Sequence, residues 1–215
     1  MMTKKRPKGY GSYWSKDKYK EKNFVDWYVW MYESRLKINK DFISWINNND
    51  IESIADFGCG IGIGFNKAFE DKEYIGIDIS ERNINWCKKN YKNPKHKYMC
   101  MDFIADSLPQ KVDVSVCNGT LENVWSINDA LRGMVNSSEK WIYASCFMGW
   151  YPDLKSHKYS WEDKKKVYSS LISPAESRVV LEDLGCTDIQ IFPAKKGLDD
   201  ESGYETIIIA RVSRV

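Results

Sequence analysis

Ile54-Ala55-Asp56-Phe57-Gly58-Cys59-Gly60-Ile61-Gly62-Ile63-Gly64 is the stretch whose reading decides the fold. A short apolar run ends on an acidic residue, breaks into glycines at every second position, and gives way to a helix-compatible segment at 65–70. That order predicts a strand, a tight turn and a helix start. Glycine tolerates positive φ and has no Cβ, so a turn built of it lets backbone approach a ligand closely. The turn reads as a ligand cradle, although glycine spacing alone also suits a strand-to-helix connection with no ligand.

Downstream the pattern repeats. Residues 73–79 read as a second strand, Ser80 as the N-cap of a helix running to about Tyr91, and Pro94 as its stop. Residues 97–101 form a third strand ending at Asp102. Residues 112–118 form a fourth, apolar almost throughout, as a strand covered on both faces must be. Ser126 caps a helix through Ile127, Ala130, Leu131, Met134 and Val135, and residues 141–146 supply a fifth strand. Residues 147–173 interrupt the rhythm with Trp150, Tyr151, His157, Tyr159, Trp161 and Tyr168 among lysines, and read as an insertion. Ser173-Pro174-Ala175-Glu176 is a capping box with proline at the first helical position, and that helix stops at Gly185. Strands at 187–192 and 204–212, joined by a polar loop at 195–203, finish the chain.

Alternation of strand and helix implies an α/β, doubly wound, mostly parallel sheet with helices on both faces. Ligands of such sheets sit beyond the carboxyl ends of the strands, where the strand order reverses. The glycine turn, Asp78, Asp102 and Asn118 each follow a strand, so the fold gathers them on one rim.

Upstream, residues 3–22 are basic but carry Tyr10, Tyr13 and Trp14, which favours an arm that folds over something above a solvated tail. Residues 24–46 place Val25, Val29, Tyr32, Leu36, Ile43 and Ile46 near helical spacing, as one long or two short amphipathic helices. The expected organisation is an N-terminal helical arm or lid over 1–50 and a binding domain over 51–215, with the aromatic insertion at about 147–173.

Composition narrows the class. A chain of 215 residues with 43% hydrophobic and 29% charged residues suits an ordinary globular domain. A formal charge of +2 gives nucleic acid no support as the main partner. The six cysteines lie singly, mostly in apolar runs, and with only two histidines no metal spacing arises; the thiols read as buried groups of a protein in the reducing cytoplasm. The basic N-terminus leads into no apolar segment of signal-peptide type, and no apolar run is long enough to span a bilayer. Nine tryptophans are a surplus that fills a core or lines a pocket for a flat ligand.

The rim itself is acidic. Asp78 stands where a dinucleotide fold places its ribose-binding acid, but the glycine spacing fails: the third glycine position holds Ile63 or Phe65, depending on the start. A pyrophosphate would also lie against Asp56. Three carboxylates, Asp56, Asp78 and Asp102, with no lysine in the turn, suit a cationic nucleoside.

Four motifs in order, Asp56-Phe57-Gly58-Cys59-Gly60-Ile61-Gly62, Ile77-Asp78-Ile79-Ser80, Met101-Asp102-Phe103 and Asn118-Gly119-Thr120-Leu121-Glu122-Asn123-Val124, resemble the cofactor motifs of class I S-adenosylmethionine-dependent methyltransferases, and the resemblance runs from about Ser53 to the C-terminus. It implies a seven-stranded sheet with the last strand antiparallel. It also implies that Gly58, Cys59 and Gly60 pass along the methionine moiety, Asp78 and Ile79 hold the ribose and adenine edge, and Asp102 and Phe103 hold the adenine. Asn118 would stand near the sulfonium, and Leu121 and Asp56 are counted with these residues as cofactor-binding. The product would be S-adenosylhomocysteine.

Methyl transfer from a sulfonium is an in-line displacement that depends on positioning the acceptor and, where needed, removing its proton. The family pattern often has histidine after the Leu-Glu pair, whereas Asn123 stands here. The adenine and cytosine aminomethylase motif, a nucleophilic cysteine for cytosine C5, the paired glutamates of arginine methyltransferases and a metal-binding acidic cluster are not apparent. What remains is an acceptor pocket built from the arm and the insertion, with Tyr13, Trp14, Trp150, Tyr151 and Tyr159 as its substrate or lid residues. His157 and Glu122 are the candidate catalytic groups. The expected reaction is methylation of O or N on a small-molecule or glycan-like acceptor. The alternatives are an RNA or protein acceptor tracked by the basic arm, whose binding would fall steeply with salt, and a non-catalytic binding subunit of the same fold.

Overall fold

The computed structural model describes residues 5–15, 24–196 and 203–213. Its centre is a seven-stranded sheet. β1 (Ser53–Phe57), β2 (Glu73–Asp78), β3 (His96–Cys100), β4 (Val112–Asn118) and β5 (Ser138–Cys146) are parallel, and β9 (Tyr204–Val212) lies antiparallel between β5 and β8 (Cys186–Lys195). The spatial order β3-β2-β1-β4-β5-β9-β8 reverses direction between β1 and β4, so the crevice opens above the ends of those two strands. β5 begins three residues earlier than its apolar run suggests and β8 extends at both ends, because both are carried on by ladder pairing with β4 and β9 through polar positions.

Side chains alternate across each strand, and this sorts the core into two layers. Ile54 of β1 faces one layer with Ile38, Phe42 and Ile46 of α3 (Leu36–Asn48) and Ile84 of α5 (Glu81–Asn90). Ala55 and Phe57 face the other, packed with Ala130, Leu131 and Met134 of α6 (Ile127–Ser137) and Val180 and Leu181 of α7 (Pro174–Asp183). Ser80 and Ser126 cap their helices as their positions imply, accepting from Asn83 N and Asp129 N.

The segment at 24–46 forms two helices, α2 (Phe24–Glu33) and α3, parted at Ser34 and Arg35. Upstream, α1 is a single turn (Ser12–Ser15). The insertion at 147–173 contains a short hairpin, β6 (Trp161–Glu162) with β7 (Val167–Tyr168), and a bridge from Lys158 to Leu171. Residues 3, 4 and 16–22 of the basic arm, and most of the polar loop at 195–203, fall outside the described residues. Four cysteines are buried, but Cys59 is half-buried at the turn and Cys100 is exposed, since β3 is a sheet edge. No helix among the described residues is long and apolar enough to cross a membrane.

Candidate active site

The turn after β1 is fixed by the strand beside it. Gly58 N and Cys59 N both donate to Ile77 O, at 2.7 and 2.9 Å, and Gly60 N donates to Asp78 Oδ2 at 2.9 Å. Gly58 (φ 83°) and Gly60 (φ 56°) lie in the left-handed region. A Cβ on Gly58 would stand 2.2 Å from Thr120 Oγ1, and one on Gly60 2.5 Å from the Tyr28 ring. Both glycines are therefore required by conformation and by crowding. Asp78 Oδ1 accepts from Ser80 N at 2.7 Å, so one carboxylate ties the turn to the start of α5. Burial raises the Asp78 pKa to about 6, against the lowering effect of its hydrogen bonds to Ser80, Gly60 and Asn83.

Above the turn lies a cavity of about 580 Å³, inside the range of about 300–1,000 Å³ common for small-molecule sites. Gly58, Cys59, Gly60, Asp78, Ile79, Asp102, Phe103 and Asn118 all line it, together with Tyr13 and Trp14 of the arm. Tyr28 of α2 lies against Gly60 and accepts a hydrogen bond from Asn83 Nδ2 at 2.7 Å, while Tyr32 lies against Gly64. Gly11 packs on Ile79, and Ser80 Oγ donates to Trp14 O at 3.0 Å. Arg6 Nε stands 3.3 Å from Asp102 Oδ2, an ion pair by distance without hydrogen-bond geometry, which is why that oxygen has no hydrogen-bond partner. Tyr10, its pKa pushed well up by burial and then by Asp102, is a neutral phenol there.

Several expected residues stand elsewhere. Asp56 is not in the cavity wall. Alternation along β1 turns it into the α3/α5 layer, 2% exposed, where its Oδ2 accepts from Tyr74 Oη at 2.6 Å and burial raises its pKa to about 7. Leu121 belongs to the opposite core layer. Trp150, Tyr151 and Tyr159 do not line the cavity; Tyr151 Oη donates to Met148 O and Tyr159 Oη accepts from Ile127 N. The insertion reaches the cavity through Glu162, Lys165, Val167, Tyr168 and Ser169 of its hairpin instead.

The two candidate catalytic groups are also placed away from the cavity wall. Glu122 is fully buried, its Oε1 accepts from Phe147 N at 2.6 Å, Oε2 has no hydrogen-bond partner, and burial lifts its pKa to about 7. His157 Nδ1 accepts from Ser173 N at 2.9 Å, and its own N donates to Glu176 Oε2. The capping box is thus only half formed: Ser173 Oγ accepts from Glu176 N, but the return bond goes to the histidine. His157→Ala is expected to lower stability by about 1–2 kcal/mol, the cost of a buried donor left without acceptor, while ligand binding in the cavity stays unchanged. Urea unfolding and calorimetry of the variant check both halves.

Asp56, Asp78 and Glu122 all have folded pKa values above their ordinary range. The native state therefore holds protons that the unfolded chain has released, and stability from these groups is greatest below about pH 4 and falls as pH rises through about 7. Asp56→Asn is expected to make the decline of the urea midpoint between those limits shallower, and an unaltered slope would exclude Asp56 as its source.

Sequence reading named Asn118 but missed the polar assembly that holds it. Arg35, at the start of α3, donates to Glu205 of β9 through Nε (2.6 Å) and Nη2 (2.5 Å), and through Nη2 also to Ser145 Oγ (2.8 Å). Ser145 Oγ donates to Asn118 Oδ1 at 2.5 Å, Asn118 Nδ2 to Asn39 Oδ1 at 2.9 Å, and Asn39 Nδ2 to Tyr32 O. Arg35, Asn39, Asn118 and Glu205 all line the cavity. The signal available was thin: a lone arginine between two apolar helices and a lone glutamate opening an apolar strand.

The residues at the turn and rim fit S-adenosylmethionine. Asp78 is a buried carboxylate facing the cavity with oxygens already oriented by backbone donors, the cradle is one that a Cβ would fill, and no lysine stands in the turn to favour phosphate.

Comparison with known proteins agrees with this geometry. Residues 55–137 match the model of the methyltransferase domain family. No curated protein sequence matches the chain. Among solved structures, magnesium protoporphyrin IX methyltransferase from Synechocystis PCC 6803 with bound S-adenosylmethionine is 18% identical, with a TM-score of 0.60 over 90% of this chain and 86% of that one. The 1,6-didemethyltoxoflavin-N1-methyltransferase of Burkholderia thailandensis is 12% identical, with a TM-score of 0.64 over 86% of this chain and 81% of that one. A putative methyltransferase of Haloferax volcanii, in complex with its Trm112 activator, is 13% identical with a TM-score of 0.64 over 86% and 92%. At these identities the likeness is one of fold.

Proposed function

We propose that this chain, a class I S-adenosylmethionine-dependent methyltransferase by its domain and fold, methylates an oxygen or nitrogen of a small-molecule or glycan-like acceptor held in the aromatic cavity. The observation that carries the reading is Asp78, oriented by Gly60 N and Ser80 N at the base of a cavity walled by aromatic side chains. S-adenosylmethionine, when bound, supplies an electrophilic methyl group on a sulfonium.

The chain's own residues do the positioning. Asp78 accepts from the ribose hydroxyls, Ile79 and Phe103 flank the adenine, and Asp102 faces its amine. The backbone of Gly58, Cys59 and Gly60 lies along the methionine moiety. Asn118, its amide held by Asn39 and Ser145, sets the end nearest the reacting centre. Tyr13, Trp14 and the Tyr28 ring, with Tyr168 of the hairpin, exclude water from the acceptor and give a flat group surfaces to stack on. No histidine lines the cavity among the described residues, so transfer relies on proximity and on an acceptor that presents its lone pair without a histidine base.

A thermal-shift comparison of S-adenosylhomocysteine with NAD tests the reading. Stabilisation by S-adenosylhomocysteine is the expected result; stabilisation by NAD alone would overturn it.

A further inference from the structure

Asn123 lines the cavity with only 9% of its surface exposed. Its backbone N donates to Thr120 O at 2.9 Å, but neither Oδ1 nor Nδ2 of its side chain has a hydrogen-bond partner among the described residues. Neither atom is sealed from solvent, so both open toward the cavity. Two other amides of the cavity wall are committed: Asn118 to Asn39 and Ser145, and Asn39 to Asn118 and Tyr32 O. Buried amides of folded proteins are hydrogen-bonded as a rule, so one held apart from every protein partner is kept for a ligand. We infer that Asn123 binds the methyl acceptor, and that the acceptor it selects is a neutral planar heterocycle presenting, on one edge, an N–H beside a C=O or a ring nitrogen.

The amide sits on a rigid support. Leu121–Asn123 form a single helical turn that is pinned on both sides. Leu121 is in the core, Phe147 N donates to Glu122 Oε1 at 2.6 Å, and Ser170 N donates to Glu122 O at 2.8 Å. Thr120, just before the turn, donates through Oγ1 to Gly58 O at 3.4 Å. Asn123 is thus fixed between the glycine turn and the hairpin, whose Val167, Tyr168 and Ser169 line the same cavity. A carboxamide offers one acceptor and one donor side by side, and it takes no proton at neutral pH. Its complement is an edge with the opposite pair, the two-bond fit by which asparagine reads the edge of adenine in nucleic acids. A carboxylate would meet Nδ2 but oppose Oδ1, and an ammonium would do the reverse. Tyr28, Phe147 and Tyr168 supply faces on which a flat ring stacks. Asn123 therefore orients and selects the ring, and leaves its reacting lone pair free.

The inference rests on the function proposed above and narrows its acceptor; calorimetry on the full chain separates the two. Dissociation constants are measured for quinolin-2-one, 1-methylquinolin-2-one and 2-aminoquinoline, each with and without S-adenosylhomocysteine. The proteins are the wild type, Asn123→Leu and Asn123→Asp. The wild type is expected to prefer quinolin-2-one over its N-methyl derivative by about tenfold to a hundredfold, the worth of one or two buried hydrogen bonds. Asn123→Leu, similar in size and without polar side-chain atoms, should bind the two alike. Asn123→Asp offers two acceptors and no donor, so relative affinity should turn by about tenfold or more from quinolin-2-one toward 2-aminoquinoline, whose protonated form presents two N–H donors. A merely structural role for Asn123 would not move that ratio. Equal binding of the two quinolinones by the wild type, the same preference retained in Asn123→Leu, or no binding of quinolin-2-one at all would overturn the inference. Failure of S-adenosylhomocysteine to bind overturns the proposed function instead, and the three probes on the unliganded protein still decide the role of Asn123. Should Asn123→Leu not fold, the turn of preference in Asn123→Asp decides alone.

Discussion

Asp78→Asn is expected to weaken S-adenosylhomocysteine binding by about a hundredfold. The wild-type carboxylate accepts from Gly60 N and Ser80 N on two different oxygens. Asparagine has one oxygen, so its NH₂ must oppose one of these backbone donors. The substitution thus loosens the turn from α5 while removing the charge that the ribose hydroxyls would address. Hydrogen bonds to a charged group contribute about 1.5–3 kcal/mol each, and losing the sum of one or two such bonds gives the stated factor. Because the Asp78 pKa is raised to about 6 by burial, affinity in the wild type should climb with pH through about 6 and level off above it, as the accepting form becomes complete. In Asp78→Asn that dependence should vanish. Calorimetry between pH 5 and 8 reads both, and an affinity indifferent to the substitution would mean that the ribose sits elsewhere in the cavity.

The positions of the strands along the chain and the rim were legible because each depends on local patterns, whereas the seven-stranded sheet with its last strand antiparallel was implied only by the family resemblance. Apolar runs ending in Gly58, Asp78, Asp102 and Asn118 state where strands stop, and parallel pairing then has to bring those stops together. The same logic misled at Asp56, since adjacency to the glycines in sequence says nothing about which face of β1 a side chain takes. Alternation gives the missing step: Phe57 packs with the α6/α7 layer, so Asp56, one residue earlier, points the other way. His157 and Glu122 were attractive as chemistry-bearing residue types near a methyl acceptor. Their burial partners, Ser173 N and Phe147 N, are backbone groups whose need for an acceptor is invisible until the loops are folded. The Arg35 assembly was hidden for a different reason. Its members lie as much as 170 residues apart, and apart from Asn118 none of them sits in a motif.

Arg35→Ala is expected to cost about 3–5 kcal/mol of folding stability, a large share of the roughly 5–15 kcal/mol typical of a domain. The cost does not measure the value of the ion pair. Arg35 and Glu205 are both withdrawn from water, and removing one leaves the other as an uncompensated charge: Glu205 is fully buried and accepts from Arg35 on both oxygens. Ser145 loses the donor that orients it, and with it Asn118 loses part of its support. Arg35 is also the charge that opposes the burial-driven rise of the Glu122 pKa, so in the variant that pKa moves further up and stability declines more steeply as pH rises toward neutrality. If burial of an unpaired carboxylate is the cause, Arg35→Met/Glu205→Gln should recover most of the loss although it contains one more substitution. A loss in the double variant equal to or larger than that of Arg35→Ala would instead assign the cost to packing between α3 and β9. Urea denaturation of the three proteins at pH 6 and pH 8 distinguishes the two accounts.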